Sequence, residues 1–135
     1  MRRYVIVSIL AGILFGGMDG LIAANPLAQR LYEVYKPIAR ASLNAPAGIV
    51  MDLVYGFAMA ALFLLLYKSL PGAAGWKKGL SFGVLAWFLR VFMAAASQWV
   101  MFAISAETVV YILVTGLGEM LVVGLLCGLL LQPSN

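Results

Sequence analysis

Histidine is absent from this sequence, and cysteine occurs once. Without histidine, the chain lacks the commonest metal ligand and the usual proton carrier of neutral pH. This excludes haem held by axial histidine, histidine-based zinc catalysis, and nucleophilic catalysis by a Ser-His-Asp or Cys-His set. The single cysteine, Cys127, excludes an internal disulfide and a metal site built on a cysteine pair. We therefore expect no cofactor and no metal centre, and we expect Cys127 to be a small buried apolar residue.

Charge is also scarce, since charged residues make up 10% of the 135 residues and hydrophobic residues 64%. A soluble domain has about 25% charged and about 45–50% apolar residues, so both values indicate a lipid environment. The net charge of +4 comes from basic residues near the ends of apolar runs. That placement is typical of membrane topology and not of nucleic-acid binding. We expect the lipid bilayer as a partner and no nucleic acid.

Four apolar runs are long enough to cross a bilayer. They cover residues 4–24, 48–67, 79–104 and 108–131. Each has about 20 residues or more, which spans a hydrocarbon core of about 30 Å at about 1.5 Å per residue. The sequence therefore predicts an all-α membrane protein. We expect a single domain over residues 1–135, folded as a bundle of four antiparallel transmembrane helices.

The orientation of the spans follows from the basic residues that flank them. One side of the membrane receives Arg2, Arg3, Lys68, Lys77 and Lys78, and the other receives Arg30, Lys36 and Arg40. The side with more basic residues is normally cytoplasmic. We therefore predict a multi-pass protein of a bacterial-type inner membrane, with both the N- and C-termini in the cytoplasm.

The first span also resembles a secretory signal peptide, because two arginines and an apolar stretch precede Ala23 and Ala24. Three features favour a retained span over a cleaved one. The apolar run is long, it contains Asp19, and the bulky Ile22 occupies a position where cleavage needs a small residue.

The segment 26–43, between spans 1 and 2, is amphipathic. Its apolar residues recur at helical spacing, namely Leu27, Leu31, Val34 and Ile38. Asn25 suits a helix cap, Pro26 suits the first helical position, and Pro37 is expected to kink or divide the helix. Tyr32 and Tyr35 suit the headgroup zone. We predict an extracytoplasmic amphipathic helix, acting either as a lid on the bundle or as a gate or partner surface.

Each span contains one charged residue near its apolar centre or its outer third. These residues are Asp19, Asp52, Arg90 and Glu119. A charge at the bilayer centre costs at least about 2.5–3.5 kcal/mol on insertion scales, so such residues face the bundle interior or a watery cavity. Small residues recur beside them and allow close helix approach. On the first span they form a stripe that includes Gly12, Gly16 and Gly20, through which a homodimer is plausible.

Depth along the spans predicts how these charges are arranged. Arg90 and Glu119 both fall near the midplane, so we expect them to form an ion pair. Asp19 and Asp52 lie in the outer third. With Gln98, and with Asn25 and Asn44, they outline a polar funnel that opens outward. Because three carboxylates share the interior with one arginine, we expect at least one of Asp19 and Asp52 to be protonated at neutral pH or to bind a cation.

Three functions fit this pattern. The first is a carrier or channel for a proton, a small cation or a small polar solute, in which Asp19 and Glu119 bind or relay the ligand. Arg90 would then set the local field, Asp52 would lie at the mouth, and Gln98 would contact the ligand. The second is a non-catalytic membrane subunit or assembly partner, with the charges as structural glue. The third is an enzyme acting on a lipid or isoprenoid group, which is less favoured because no catalytic set is evident.

Overall fold

The computed structural model describes residues 1–133, and within that range the chain forms helices and connecting turns without a β-strand. Four helices are long and apolar enough to cross a membrane. They are α1 (Arg2–Ala24), α3 (Ala45–Leu66), α4 (Gly75–Met101) and α5 (Ala106–Leu130). A short helix, α2 (Pro26–Leu31), lies between α1 and α3. The predicted all-α fold, with four helices long and apolar enough to span a membrane, is confirmed.

Capping residues set the helix starts, and this explains where the spans differ from the hydrophobic runs. Helix α3 begins at Ala45, before the apolar run, because the Asn44 side chain accepts a hydrogen bond from the Ala47 backbone N–H at 3.2 Å. Helix α5 begins at Ala106, where the Ser105 hydroxyl accepts a hydrogen bond from the Thr108 N–H at 3.2 Å. These polar caps extend both helices beyond the apolar core of each run.

The amphipathic segment is divided into two kinds of helix. Helix α2 is capped by Asn25, whose side chain accepts a hydrogen bond from the Ala28 N–H at 2.9 Å. A 3₁₀ helix then runs over Tyr32–Ile38, and residues 39–44 are not helical. Pro37 lacks an N–H and disfavours the α conformation of the residue before it, so the α-helix cannot continue through this position. Helix α2 and the 3₁₀ helix together are called the cover segment (26–38) below.

Glycines join α1 to α3 and α4 to α5 in two closely packed pairs. A methyl group placed on Gly12 would lie 3.0 Å from the backbone of α3 at Asp52 and Leu53. One placed on Gly83 of α4 would lie 2.8 Å from the Met120 carbonyl oxygen of α5. Only a residue without a Cβ permits backbones to approach this closely, and such contacts drive helix association in lipid.

The small-residue stripe on α1 is therefore partly used within the chain. Gly12 and Gly16 both face α3, whereas a methyl group on Gly20 would meet nothing within 4 Å. Of the three glycines predicted as a dimer surface, two are covered by α3. The homodimer itself stays a prediction.

The two helix pairs meet along α1 and α5 and at one aromatic contact. The rings of Phe63 on α3 and Phe82 on α4 have centroids 5.5 Å apart. Phe15, Met120 and Cys127 are fully buried in the same core. The predicted burial of Cys127 is confirmed. Beyond this core, towards the cover segment, most side chains of α3 and α4 are exposed, which leaves space between the two pairs.

Candidate functional site

A cavity of about 260 Å³ lies between the two helix pairs, next to the cover segment. Four of the five site residues predicted from the sequence line it, namely Asp19, Arg90, Gln98 and Glu119. Asp19 comes from α1, Arg90 and Gln98 from α4, and Glu119 from α5. The structure thus brings charges from three helices into one space, as the cost of exposing them to lipid requires.

Glu119 is the most deeply buried of these groups, with its side chain 5% exposed. Among the described residues, its Oε1 atom has no hydrogen-bond partner. One donor that lines the same cavity is directed elsewhere: the Thr115 hydroxyl donates to the Tyr111 carbonyl oxygen at 2.7 Å. An unsatisfied buried acceptor costs about 1–3 kcal/mol, so this oxygen is exceptional.

Arg90 pairs with Glu119 only loosely. Its Nη1 atom lies 3.9 Å from Glu119 Oε1, beyond the range of about 2.7–3.2 Å for an N–H···O hydrogen bond. The guanidinium packs instead against two aromatic rings, with Cζ 5.0 Å from the ring centroids of both Phe15 and Tyr55. These two rings also pack on each other, with centroids 6.0 Å apart, and are called the aromatic pair below. Each such cation–π contact is worth about 0.5–2 kcal/mol. The predicted pairing of Arg90 with Glu119 is present, but the guanidinium also packs on the aromatic pair from α1 and α3.

A π-helical turn in α4, Phe88–Phe92, carries Arg90. A π turn widens the helix by one residue and is frequently found at functional sites. The rings of Phe88 and Phe92 stack, with centroids 5.2 Å apart, on the exposed surface of this turn. The turn therefore coincides with the one position at which α4 must direct a charged side chain between the two helix pairs.

Asp19 lies beside Glu119. The two carboxyl groups, one on α1 and one on α5, line the same cavity and are near enough for the charge of one to act on the other. A carboxylate can only accept hydrogen bonds, so a bond between two carboxyl groups requires a proton on one of them. This close pair of acids is the principal chemical feature of the cavity.

Asp52 does not line the cavity. It lies in a separate groove with Gly12 and Gly16, and a methyl group on Gly16 would be 2.8 Å from Asp52 Oδ2. The charges of Asp19 and Arg90 are still near enough to act on it. Its place at the mouth of the polar space stays a prediction, and the α1–α3 packing places this carboxylate beside the glycines of α1.

Asn25 and Asn44 were also expected in the funnel, and neither lines the cavity. Asn44 caps α3, as described above. Asn25 caps α2 and donates to the Tyr111 hydroxyl oxygen at 2.7 Å. Short polar side chains satisfy free backbone groups at helix ends, and that local demand accounts for both residues.

The cover segment contributes two tyrosines to the cavity region, although both suited the headgroup zone by sequence. Tyr32 lines the cavity, and its ring packs edge-on against Tyr111 with centroids 5.8 Å apart. The Tyr35 hydroxyl donates to Gln98 Oε1 at 2.7 Å. Burial, and then the neighbouring Tyr111, Tyr35 and Asp19, raise the pKa of Tyr32 from 10.0 to about 12. Burial also raises the pKa of Tyr35. Tyr32 therefore stays neutral over the physiological range.

Sequence reasoning missed Phe15, Tyr55 and Tyr32. A signal existed for Phe15, which lies four residues before Asp19 and so shares its helix face. Nothing in the sequence marks Tyr55 or Tyr32 as neighbours of Arg90 or Asp19, since those contacts depend on how separate helices pack.

The residues from 1 to 133 contain no group of three or more acidic, cysteine or histidine side chains arranged to hold a metal ion. The chemistry available in the cavity is therefore that of two carboxyl groups, one guanidinium, an amide and neutral hydroxyls. Comparison with family models, with curated proteins and with solved structures finds no match.

Proposed function

We propose that this protein carries or conducts a proton, a small cation or a small polar solute across a bacterial-type inner membrane. The ligand binds the cluster of Asp19, Arg90 and Glu119, and Gln98 contacts it nearer the cover segment. The four long helices cross the bilayer as an antiparallel bundle. Both termini lie in the cytoplasm and the cover segment is extracytoplasmic, which is supported by the excess of basic residues near the ends assigned to the cytoplasm.

The buried, unpartnered oxygen of Glu119 carries this proposal. A purely structural ion pair in a low-dielectric interior is stable only when short hydrogen bonds satisfy both partners. Here the Arg90–Glu119 separation is 3.9 Å and Oε1 lacks a donor. This carboxylate lines a cavity, and one of its oxygens has no hydrogen-bond partner among the described residues. Such a group suits a ligand that binds reversibly.

The size of the cavity supports a small ligand. At about 260 Å³ it holds roughly nine water molecules at about 30 Å³ each. Drug-sized ligands need about 300–1,000 Å³. A proton moving along water, a small cation or a small solute fits this space.

Flux into liposomes tests the proposal. The purified protein is reconstituted with a pH-sensitive or ion-sensitive dye inside the vesicles, and an imposed gradient drives entry. Glu119→Gln and Asp19→Asn keep the side-chain shape but remove the charge, and each is expected to reduce flux at least about tenfold, as loss of an essential binding group does. Equal insertion and thermal stability of the variants exclude misfolding as the cause.

The matched control is Glu107→Gln on the same helix. Glu107 lies outside the cavity in a salt bridge to Arg30 at 3.7 Å, and its side chain is 76% exposed. Such an exposed pair contributes about 0–1 kcal/mol, so flux is expected to match the wild type. Flux that survives Glu119→Gln unchanged would refute the proposal.

A second candidate function is a non-catalytic membrane subunit, and one observation favours it. Arg90 contacts Phe15, Tyr55 and Glu119 at once, so it ties the two helix pairs together. In that case the charges hold the helices together, and Glu119→Gln would prevent insertion or assembly. The transport proposal instead predicts a stable, correctly inserted variant that has lost its flux.

A further inference from the structure

We propose that the ligand of this cavity is a proton, held between the carboxyl groups of Asp19 and Glu119. This inference rests on the proposed function of the same site and names its ligand. The pair lies between α1 and α5, so the bound proton also links the two helix pairs.

The first argument is the unpartnered oxygen of Glu119. Its Oε1 atom is buried without a hydrogen-bond partner among the described residues, and the side chain is only 5% exposed. The Thr115 hydroxyl, which also lines the cavity, donates to the Tyr111 carbonyl oxygen and not to this atom. Asp19 lines the same cavity, and two ionised carboxylates there would repel each other, whereas one proton between them replaces the repulsion with a hydrogen bond.

The second argument is the balance of charge. Asp19 and Glu119 together carry two negative charges when ionised, and Arg90 supplies one positive charge. One bound proton makes this group neutral, which is the state that a membrane interior favours. Arg90 packs on the aromatic pair and lies 3.9 Å from Glu119 Oε1, so the arginine contributes its field without taking the place of the proton.

A metal cation fits less well. Ca²⁺ takes about 6–8 oxygen ligands, and Mg²⁺ demands nearly ideal octahedral geometry. The cavity offers two carboxyl groups, and no third acidic, cysteine or histidine ligand joins them within the described residues. The Arg90 guanidinium repels a cation. A proton has no such requirement for ligand number or coordination geometry, because it forms one covalent O–H bond and one hydrogen bond.

The binding step is a simple proton transfer. A hydronium ion in the cavity gives its proton to a carboxylate oxygen, an O–H bond forms on that oxygen, and water remains. Transfer of the proton back to water reverses the step. The titratable and charged groups around the pair are Arg90 from α4, the neutral Tyr32 of the cover segment, and Asp52 from α3, whose charge acts from the separate groove.

Infrared difference spectroscopy of the protein in lipid nanodiscs tests this inference. The C=O stretch of a protonated carboxyl group is separate from that of a carboxylate and shifts in heavy water. The wild type is expected to show one protonated carboxyl per chain at neutral pH, lost as the pH rises. Glu119→Gln and Asp19→Asn should each remove or shift that band, whereas Asp52→Asn should leave it in place.

A wild-type spectrum with both acids ionised at neutral pH overturns the inference, whatever the variants do. A band that persists unchanged in both Glu119→Gln and Asp19→Asn overturns it as well. Adding sodium or potassium chloride as a probe should not displace the band, and displacement by either ion would contradict proton selectivity.

The two proposals fail in different ways. A shared proton without any flux in liposomes refutes transport but leaves the proton site. Sodium or potassium flux that depends on Glu119, with both acids ionised, refutes the proton site but leaves transport.

Discussion

Replacement of Gly124 by alanine tests the glycine-mediated packing that fixes α4 against α5. A Cβ at this position would lie 2.9 Å from the Gly83 nitrogen and 3.0 Å from its Cα, and closer still to the Gly79 carbonyl oxygen. Ordinary van der Waals contacts begin near 3.4 Å. The blocking atoms belong to the backbone, so the helices themselves must separate.

The magnitude follows from two opposed effects. Overpacking of a tight interface costs about 1–3 kcal/mol, whereas alanine is favoured over glycine in a helix by about 0.8–1.0 kcal/mol. Gly124→Ala is therefore expected to lower the free energy of unfolding by up to about 2 kcal/mol. Gly118→Ala, on the same helix, meets nothing within 4 Å. It should keep only the helix-propensity gain and be neutral or stabilising.

Reversible unfolding of both variants in mixed micelles measures the difference directly, with helix content followed by circular dichroism. Gly124→Ala should unfold at a lower denaturant fraction than the wild type, and Gly118→Ala should not. Equal stability of the two variants would refute the close approach of α4 and α5, because only their surroundings distinguish them.

Two further predictions concern the aromatic residues around the cavity. Phe15→Leu removes one ring of the aromatic pair, worth about 0.5–2 kcal/mol, so Arg90 can approach Glu119 and flux is expected to fall roughly 2- to 30-fold. Phe57→Leu, at a ring that packs on Tyr4 away from the cavity, is the control, and equal flux in the two variants would contradict the role of the aromatic pair. Tyr32 has a pKa raised to about 12 in the folded protein, against 10.0 ordinarily. Because the unfolded chain loses this proton first, stability should fall between about pH 10 and about pH 12, and pH titration of unfolding should show a smaller fall in Tyr32→Phe.

Much of the fold was predictable from the sequence because lipid imposes simple demands. The length of the apolar runs predicted the four long helices. The free-energy cost of exposing a charge to lipid predicted that Asp19, Arg90 and Glu119 face inward. Glycine spacing indicated close helix contacts, although it did not reveal that Gly12 and Gly16 face α3 within the same chain.

What the sequence did not specify depends on the rotation of each helix and on local backbone geometry. Asp52 lies on the same small-residue face as Gly56, yet the crossing of α1 and α3 separates it from the cavity. The π turn at Phe88–Phe92 has no proline or glycine to mark it. The packing of Arg90 on the aromatic pair joins residues from three helices, and a single sequence carries no signal of such long-range contacts.

The ratio of liposome flux between Glu119→Gln and Glu107→Gln tests the central claim most directly, since both variants remove one carboxylate from α5, the first inside the cavity and the second outside it. We expect the Glu107 variant to conduct like the wild type and the Glu119 variant to lose at least about nine-tenths of the flux, as removal of an essential intramembrane acid does. Equal flux in the two variants, at equal amounts of folded protein, would contradict the claim that the buried acid cluster is the functional site.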